Sequence, residues 1–195
     1  PEARTRGKRL GRYLLGIARV IMKHEYQDLP KEVTVWVDTD FAGCKRTRKS
    51  TSGGVVMWGS ACVKTWSTTQ DNVALSSGEA EFYGIVKGGS QGLGMKSMLG
   101  DMGVPVKVMI RTDASAAKSM ATKKGMGRVR HVEVREMWVQ DKVAKREIEV
   151  RQVRGEDNLA DVLTKHVSRE RLDVMLERMG YERRGGRHEL CPTVK

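Results

Sequence analysis

Val33, Val35 and Val37 alternate with Thr34, Trp36 and Asp38. A period of two over six residues specifies a β-strand whose two faces are lined differently. Its neighbours in the chain repeat the pattern. A basic turn, Lys45-Arg46-Thr47-Arg48-Lys49, runs into Ser50-Thr51-Ser52-Gly53-Gly54, and two more short strands are predicted at Val55–Trp58 and Cys62–Trp66 around a tight Gly59-Ser60 turn. Three such strands in succession predict an antiparallel meander. The pattern then switches to helix from Ser76, where Ser76 and Glu79 form a capping box and Phe82, Val86 and Leu93 line one face. Val106, Val108 and Ile110 mark a fourth strand ending at Asp113. A short helix (Ala114 to Ala121), a loop rich in lysine and glycine (Lys123 to Gly127) and a helix from Val132 to Lys145 come next. Ile148, Val150 and Val153 mark a fifth strand, and Asn158 caps a final helical region from Leu159 to Met179. This order predicts an α/β fold: a five-stranded mixed sheet flanked by helices, with the first strand central.

The ends read differently. Leu10, Leu14, Ile17 and Ile21 fall at helical spacing and predict a helix from Gly7 to Lys23, closed by Asp28-Leu29-Pro30. Residues 1–30 are therefore assigned to a linker helix, 31–180 to the main domain and 181–195 to a loose basic tail. Within the long helix, Gly84, Gly88, Gly89, Gly92 and Gly94 each lower helix propensity by up to ~1 kcal/mol relative to alanine. Either tertiary packing compensates or the helix frays there.

The net charge of +12 on 195 residues favours a polyanionic partner, nucleic acid foremost. No long apolar run or signal-like segment supports a membrane. Cys44, Cys62 and Cys191 are far apart and form no CxxC pair, so they read as reduced thiols rather than a disulfide frame or a zinc site.

Four carboxylates stand where strand ends and helix starts meet: Asp38, Glu81, Asp113 and Asp161. Hard oxygen donors of this kind suit Mg2+, and a pair of such ions roughly 4 Å apart stabilises both the attacking and the leaving oxygen in phosphoryl displacement. Each acid also has a purely structural reading. Asp113 is placed to cap the next helix, Asp161 to favour the positive end of its helix, Glu81 to sit on the surface as Glu79 does, and Asp38 to serve as a strand-end residue with Asp40 as its equal.

Six segments tip this balance. Val37-Asp38-Thr39-Asp40-Phe41-Ala42-Gly43, Arg48-Lys49-Ser50-Thr51-Ser52-Gly53-Gly54 and Val73-Ala74-Leu75-Ser76-Ser77-Gly78-Glu79-Ala80-Glu81-Phe82 come first. Thr112-Asp113-Ala114-Ser115-Ala116, Arg130-His131-Val132-Glu133-Val134-Arg135 and Asp157-Asn158-Leu159-Ala160-Asp161-Val162-Leu163-Thr164-Lys165 complete the set. In this order they resemble the motifs of copia-type retrotransposon ribonucleases H. The resemblance implies a ribonuclease H-like fold and cleavage of the RNA strand of RNA/DNA hybrids by two Mg2+ ions, with Mn2+ as the alternative. It implies that Asp38 bridges both metals, that Asp161 joins it on the side of the attacking water, and that Glu81 and Asp113 hold the leaving-group side. His131 falls on the family's histidine, with a role in proton transfer or product release. The resemblance also implies a reverse transcriptase region in the same polyprotein as partner, and a cytoplasmic location within a retrotransposon particle. The chain departs from the family at Phe41 (usually tryptophan), Phe82 (usually tyrosine) and Gly78 (usually threonine).

Lys45, Arg46, Arg48 and Lys49 in the first turn and Lys123, Lys124, Arg128 and Arg130 in the later loop flank the acids, and are the candidate phosphate contacts. Ser76, Ser77 and Ser115 are candidates for the sugar edges of a hybrid, whose recognition rests on groove shape and the 2′-hydroxyl. Two other readings remain at this level. One is a non-catalytic hybrid-binding module attached to a reverse transcriptase. The other is an integrase-type nuclease, against which the early glutamate and the fourth acid argue.

Overall fold

Regular elements run in the order α1 (Glu2–Gly16), β1 (Arg19–Met22), β2 (Glu32–Asp40), β3 (Thr51–Trp58), β4 (Ala61–Thr69), α2 (Ser77–Asp101), β5 (Lys107–Thr112) and α3 (Ser115–Thr122). After these come α4 (Trp138–Ala144), β6 (Ile148–Gln152), two 3₁₀ turns (Gly155–Asp157 and Leu159–Leu163), α5 (Arg169–Arg178) and β7 (Tyr181–Arg184). The computed structural model of the chain describes residues 2–16, 19–124 and 137–186.

The valine-alternating segment is β2, at the centre of a five-stranded sheet of order β4-β3-β2-β5-β6. β2 pairs antiparallel with β3, with Val33 opposite Trp58 and Val37 opposite Gly54. It pairs parallel with β5, with Val35 opposite Ile110, and β6 extends the sheet in parallel. The result is the mixed, helix-flanked five-stranded sheet that the sequence predicts, with its first strand central. The alternation in β2 feeds two cores. Val33, Val35 and Val37 pack with Phe82 and Ile85 of α2 and with Val139 of α4. Trp36, on the opposite face, packs with Val55, Met57, Leu159 and Met175. Val35 and Ile110 are wholly buried, and each such side chain contributes roughly 1.5–3 kcal/mol.

The glycines of α2 do not fray it. Gly84, Gly88 and Gly92 lie four residues apart on the face that meets the sheet. A Cβ at Gly84 would come within 2.7 Å of Thr39 Oγ1, at Gly88 within 2.6 Å of Val37 Cγ1, and at Gly92 within 2.6 Å of Val108 Cγ1. The stripe lets the helix backbone lie close on β2 and β5, and packing offsets the propensity cost. Gly94 faces open space. At the other end, the Ser76 Oγ accepts from the Glu79 N–H as the capping box predicts. The Glu79 side chain, however, is buried rather than on the surface. It accepts from the Leu75 N–H and from the Tyr83 hydroxyl.

Three expectations at the ends are corrected. The predicted helix from Gly7 to Lys23 stops at Gly16, and Arg19–Met22 is strand β1. β1 pairs antiparallel with β7, Val20 opposite Arg183, so Tyr181–Arg184 is not a loose tail. Gly180, at φ +78, makes the bend into β7, and its carbonyl accepts from the Lys23 N–H at 2.8 Å. The final helical region is broken: after Leu159–Leu163 the chain unwinds, and Ser168 starts α5 afresh by accepting from the Arg171 N–H. Of the predicted helix Val132–Lys145 the described part is α4.

Candidate active site

β2 carries Asp38 near its carboxyl end, and β5, parallel beside it, ends where Asp113 begins the next turn. Parallel neighbours deliver these two acids to the same edge of the sheet. The segment Leu159–Leu163 crosses the face that holds Trp36 and delivers Asp161. Its close approach depends on Gly53, the residue paired with Asp38 on β3. A Cβ there would lie 2.7 Å from Thr164 Cγ2 and 2.9 Å from Leu163 Cβ. Gly54 is needed for a different reason: a Cβ there would collide with the Trp66 ring.

One carboxylate oxygen each of Asp38, Asp113 and Asp161 lies within 4.8 Å of the others. Asp38 is fully buried and Asp161 nearly so. Glu81 enters from the first turns of α2. One of its oxygens, Oε2, is buried without a hydrogen-bond partner. Burial, followed by the charges of Asp38 and Asp113, pushes its pKa up to about 8. Burial likewise raises the pKa of Asp161, against a hydrogen bond from Lys165 that lowers it, while the charges of Asp38 and Asp113 add to the rise. Glu81 stands outside this group of three aspartates, though the charges of Asp38 and Asp113 act on it; an all-oxygen set with mutual repulsion fits a hard divalent cation.

Asp40, the alternative to Asp38, is only half-buried and stands outside this cluster. Its carboxylate fills the space beside Gly43, where a Cβ would overlap Oδ2.

Four residues that the sequence reading did not assign to the site hold the acids in place. The Lys165 ammonium lies 2.9 Å from Asp38 Oδ1 and 2.9 Å from Asp161 Oδ1. Burial alone would lower its pKa, but the bonds to Asp161 and Asp38 raise it above the ordinary lysine value. Arg171 Nη2 donates to Asp161 Oδ2 and to the Gly155 carbonyl, each at 2.8 Å. The Thr164 hydroxyl donates to Asp38 Oδ2. The buried Asn158 Nδ2 donates to the Val37 carbonyl at 2.9 Å and, more weakly, to Asp113 Oδ1 at 3.4 Å. It thus ties two of the acid-bearing strands together while its Oδ1 caps the turn that presents Asp161. Lys165 was discoverable from its spacing of four residues after Asp161. Arg171 has no local signal.

Most of the predicted contact residues that the structure describes are exposed. Lys45, Arg46 and Arg48 project from the loop after β2, and Lys49 is half-buried. Ser76 and Ser77 at the start of α2 and Ser115 at the start of α3 are exposed and near one another, since a Cβ at Gly78 would lie 3.2 Å from Ala116 Cβ. Lys123 and Lys124 are exposed just beyond α3. Phe41 is 43 % exposed beside the basic turn. Arg128, Arg130 and His131 lie outside the described residues, as does Cys191. Cys44 and Cys62 are free thiols. Among the described residues no helix is long and apolar enough to cross a membrane.

No protein-family profile matches the chain. It is 29% identical over 148 residues, 74% of its length, to a retrovirus-related Pol polyprotein of the transposon TNT 1-94 of Nicotiana tabacum. It is 26% identical over 181 residues, 90% of its length, to the corresponding polyprotein of transposon RE1 of Arabidopsis thaliana. It spans only 11% and 12% of those polyproteins. Among solved structures, the amino-terminal RNase H domain of a Mycobacterium tuberculosis protein, fused to maltose-binding protein, superposes with a TM-score of 0.48 at 17% identity, over 77% of this chain and 98% of that one. By sequence the chain is similar to retrovirus-related Pol polyproteins of plant transposons, consistent with the copia-type resemblance of its motifs.

Proposed function

We propose that residues 31–180 form a divalent-metal-dependent endoribonuclease that cuts the RNA strand of RNA/DNA hybrids during retrotransposon reverse transcription. The observation that carries this reading is the convergence of Asp38, Asp113 and Asp161, with the unpartnered Glu81 oxygen beside them. Asp38, Glu81, Asp113 and Asp161 would hold two Mg2+ ions, or Mn2+ in their place. Such ions supply a nucleophilic water at neutral pH and charge stabilisation of the displaced oxygen. The chain's own part is to fix Asp113, Asp38 and Asp161 through Asn158, Thr164 and Arg171, and to bind the duplex. Lys45, Arg46, Arg48, Lys49, Lys123 and Lys124 grip phosphates, and Ser76, Ser77 and Ser115 meet the sugar edges. Arg128, Arg130 and His131 keep their expected roles in binding and proton transfer as part of this proposal. The reverse transcriptase region of the same polyprotein supplies the hybrid, within a cytoplasmic particle.

A non-catalytic hybrid-binding module is the second reading. The pairing of Lys165 and Arg171 with Asp38 and Asp161 favours it, because it neutralises two of the acids without a metal. A labelled hybrid incubated with Mg2+ or Mn2+, next to duplex DNA and duplex RNA, separates the two. The nuclease cuts only the RNA strand of the hybrid and only with metal. Binding of the hybrid with no cleavage under either ion would select the module.

A further inference from the structure

The Lys165 ammonium lies between two of the carboxylates that the proposed function assigns to metal. Asp38 is fully buried, and a buried carboxylate without a counter-charge is strongly destabilising. Lys165 supplies that counter-charge, 2.9 Å from Asp38 and 2.9 Å from Asp161. Arg171 also pairs with Asp161, but the two cations are held differently. Arg171, on α5, is anchored a second time by the Gly155 carbonyl, and it bonds the other oxygen of Asp161, Oδ2. Among the described residues the Lys165 ammonium bonds to Asp38 and Asp161 alone. Its side chain is 45% exposed, so a flexible four-carbon stem can carry the ammonium into solvent without unpacking the core.

We propose that Lys165 is a displaceable internal cation, which a divalent ion must expel from Asp38 and Asp161 before it binds, so that this residue sets the domain's metal affinity. The inference rests on the metal-binding reading above. Two cations cannot share the same pair of carboxylate oxygens at contact distance, because their mutual repulsion is as close-range as the attraction each enjoys. Apparent metal affinity is therefore reduced by the fraction of chains in which Lys165 has moved away. In return, the fold tolerates the absence of metal, since the buried Asp38 is never left without a positive partner.

Titration calorimetry with Mn2+ alone tests this on the wild type, Lys165→Met, Lys165→Gln and Lys165→Arg, with Asp38→Asn as the control that removes a ligand. The two neutral variants are expected to bind Mn2+ on the order of tenfold more tightly than the wild type, and the arginine variant within about twofold of it. Thermal melts give a second readout: the neutral variants melt lower than the wild type in chelator and gain more from added Mn2+. Equal or weaker binding by both neutral variants, with the wild type still binding, overturns the role of Lys165 and leaves the metal site standing. Absence of Mn2+ binding in the wild type and all Lys165 variants overturns the metal site itself, and this proposal with it.

Discussion

Glu81→Gln should stabilise the metal-free protein at neutral pH, although it removes a residue of the proposed active centre. Burial and the charges of Asp38 and Asp113 raise the Glu81 pKa from 4.5 to about 8. Between those values the folded chain holds a proton that the unfolded chain has released, so stability falls as pH rises through the window and levels off above about 8. A tenfold change in proton affinity is worth about 1.4 kcal/mol, which makes the full loss roughly 5 kcal/mol and the loss at pH 7 roughly 3 kcal/mol. Glutamine has nearly the same shape and no charge to lose, and its amide can donate toward Asp38 or Asp113. Thermal melts of both proteins in chelator from pH 4.5 to 9 should therefore coincide at the acid end and separate as pH rises. A gain of roughly 3 kcal/mol for a chain this size raises Tm by about 6–12 °C at pH 7. Added Mg2+ should close the gap, because it stabilises the wild type, with its full set of ligands, more than the variant. Parallel curves, or a variant less stable than the wild type at pH 8, would refute the placement of Glu81 among the other acids.

Particular contacts carry four further expectations. Gly88→Ala puts a Cβ 2.6 Å from Val37 Cγ1 and should cost about 1–3 kcal/mol, whereas Gly94→Ala meets nothing and should gain up to about 1 kcal/mol; denaturant unfolding of the pair checks both. Asn158→Ala leaves the buried Val37 carbonyl without its donor and should lower stability by about 1–3 kcal/mol, with cleavage reduced more than hybrid binding. Replacing Lys45, Arg46, Arg48 and Lys49 by alanine should flatten the dependence of hybrid affinity on salt, and an unchanged slope in filter binding would make that turn a solvated face. Asp40→Asn, acting on a half-buried group by the Gly43 turn, should leave most of the cleavage rate, measured in single turnover.

Legibility in the sequence tracks the range of the interactions involved. The valines of β2, the Gly59-Ser60 turn, the Ser76 cap and the Asn158 cap are local, and each lies where the residue pattern places it. Spacing left Asp38 and Asp40 equal. The strand alternation that runs up to Asp38 and the motif resemblance together chose Asp38. The pairing of Arg19–Met22 with Tyr181–Arg184 joins two four-residue strands from opposite ends of the chain, and no local pattern announces such a partner. The leucines at 10 and 14 share one helical face, and both are 59% exposed, because periodicity reports a face and not what covers it. Glu79 looked like surface charge because its burial depends on the Tyr83 hydroxyl and the Leu75 N–H. The glycines of α2 looked like weakness because propensity scales omit the sheet that lies against Gly84, Gly88 and Gly92.

Cleavage by Asp38→Asn, compared with the wild type in single turnover on a labelled RNA/DNA hybrid with saturating Mg2+, tests the central claim most directly. Asp38 is the wholly buried member of the acidic cluster, so its amide should abolish cutting of the RNA strand while hybrid affinity, carried by the exposed basic residues, stays within about threefold. Wild-type cleavage that proceeds equally well in chelator, or an Asp38→Asn protein that cuts at the wild-type rate, would contradict a metal-dependent nuclease centred on these carboxylates.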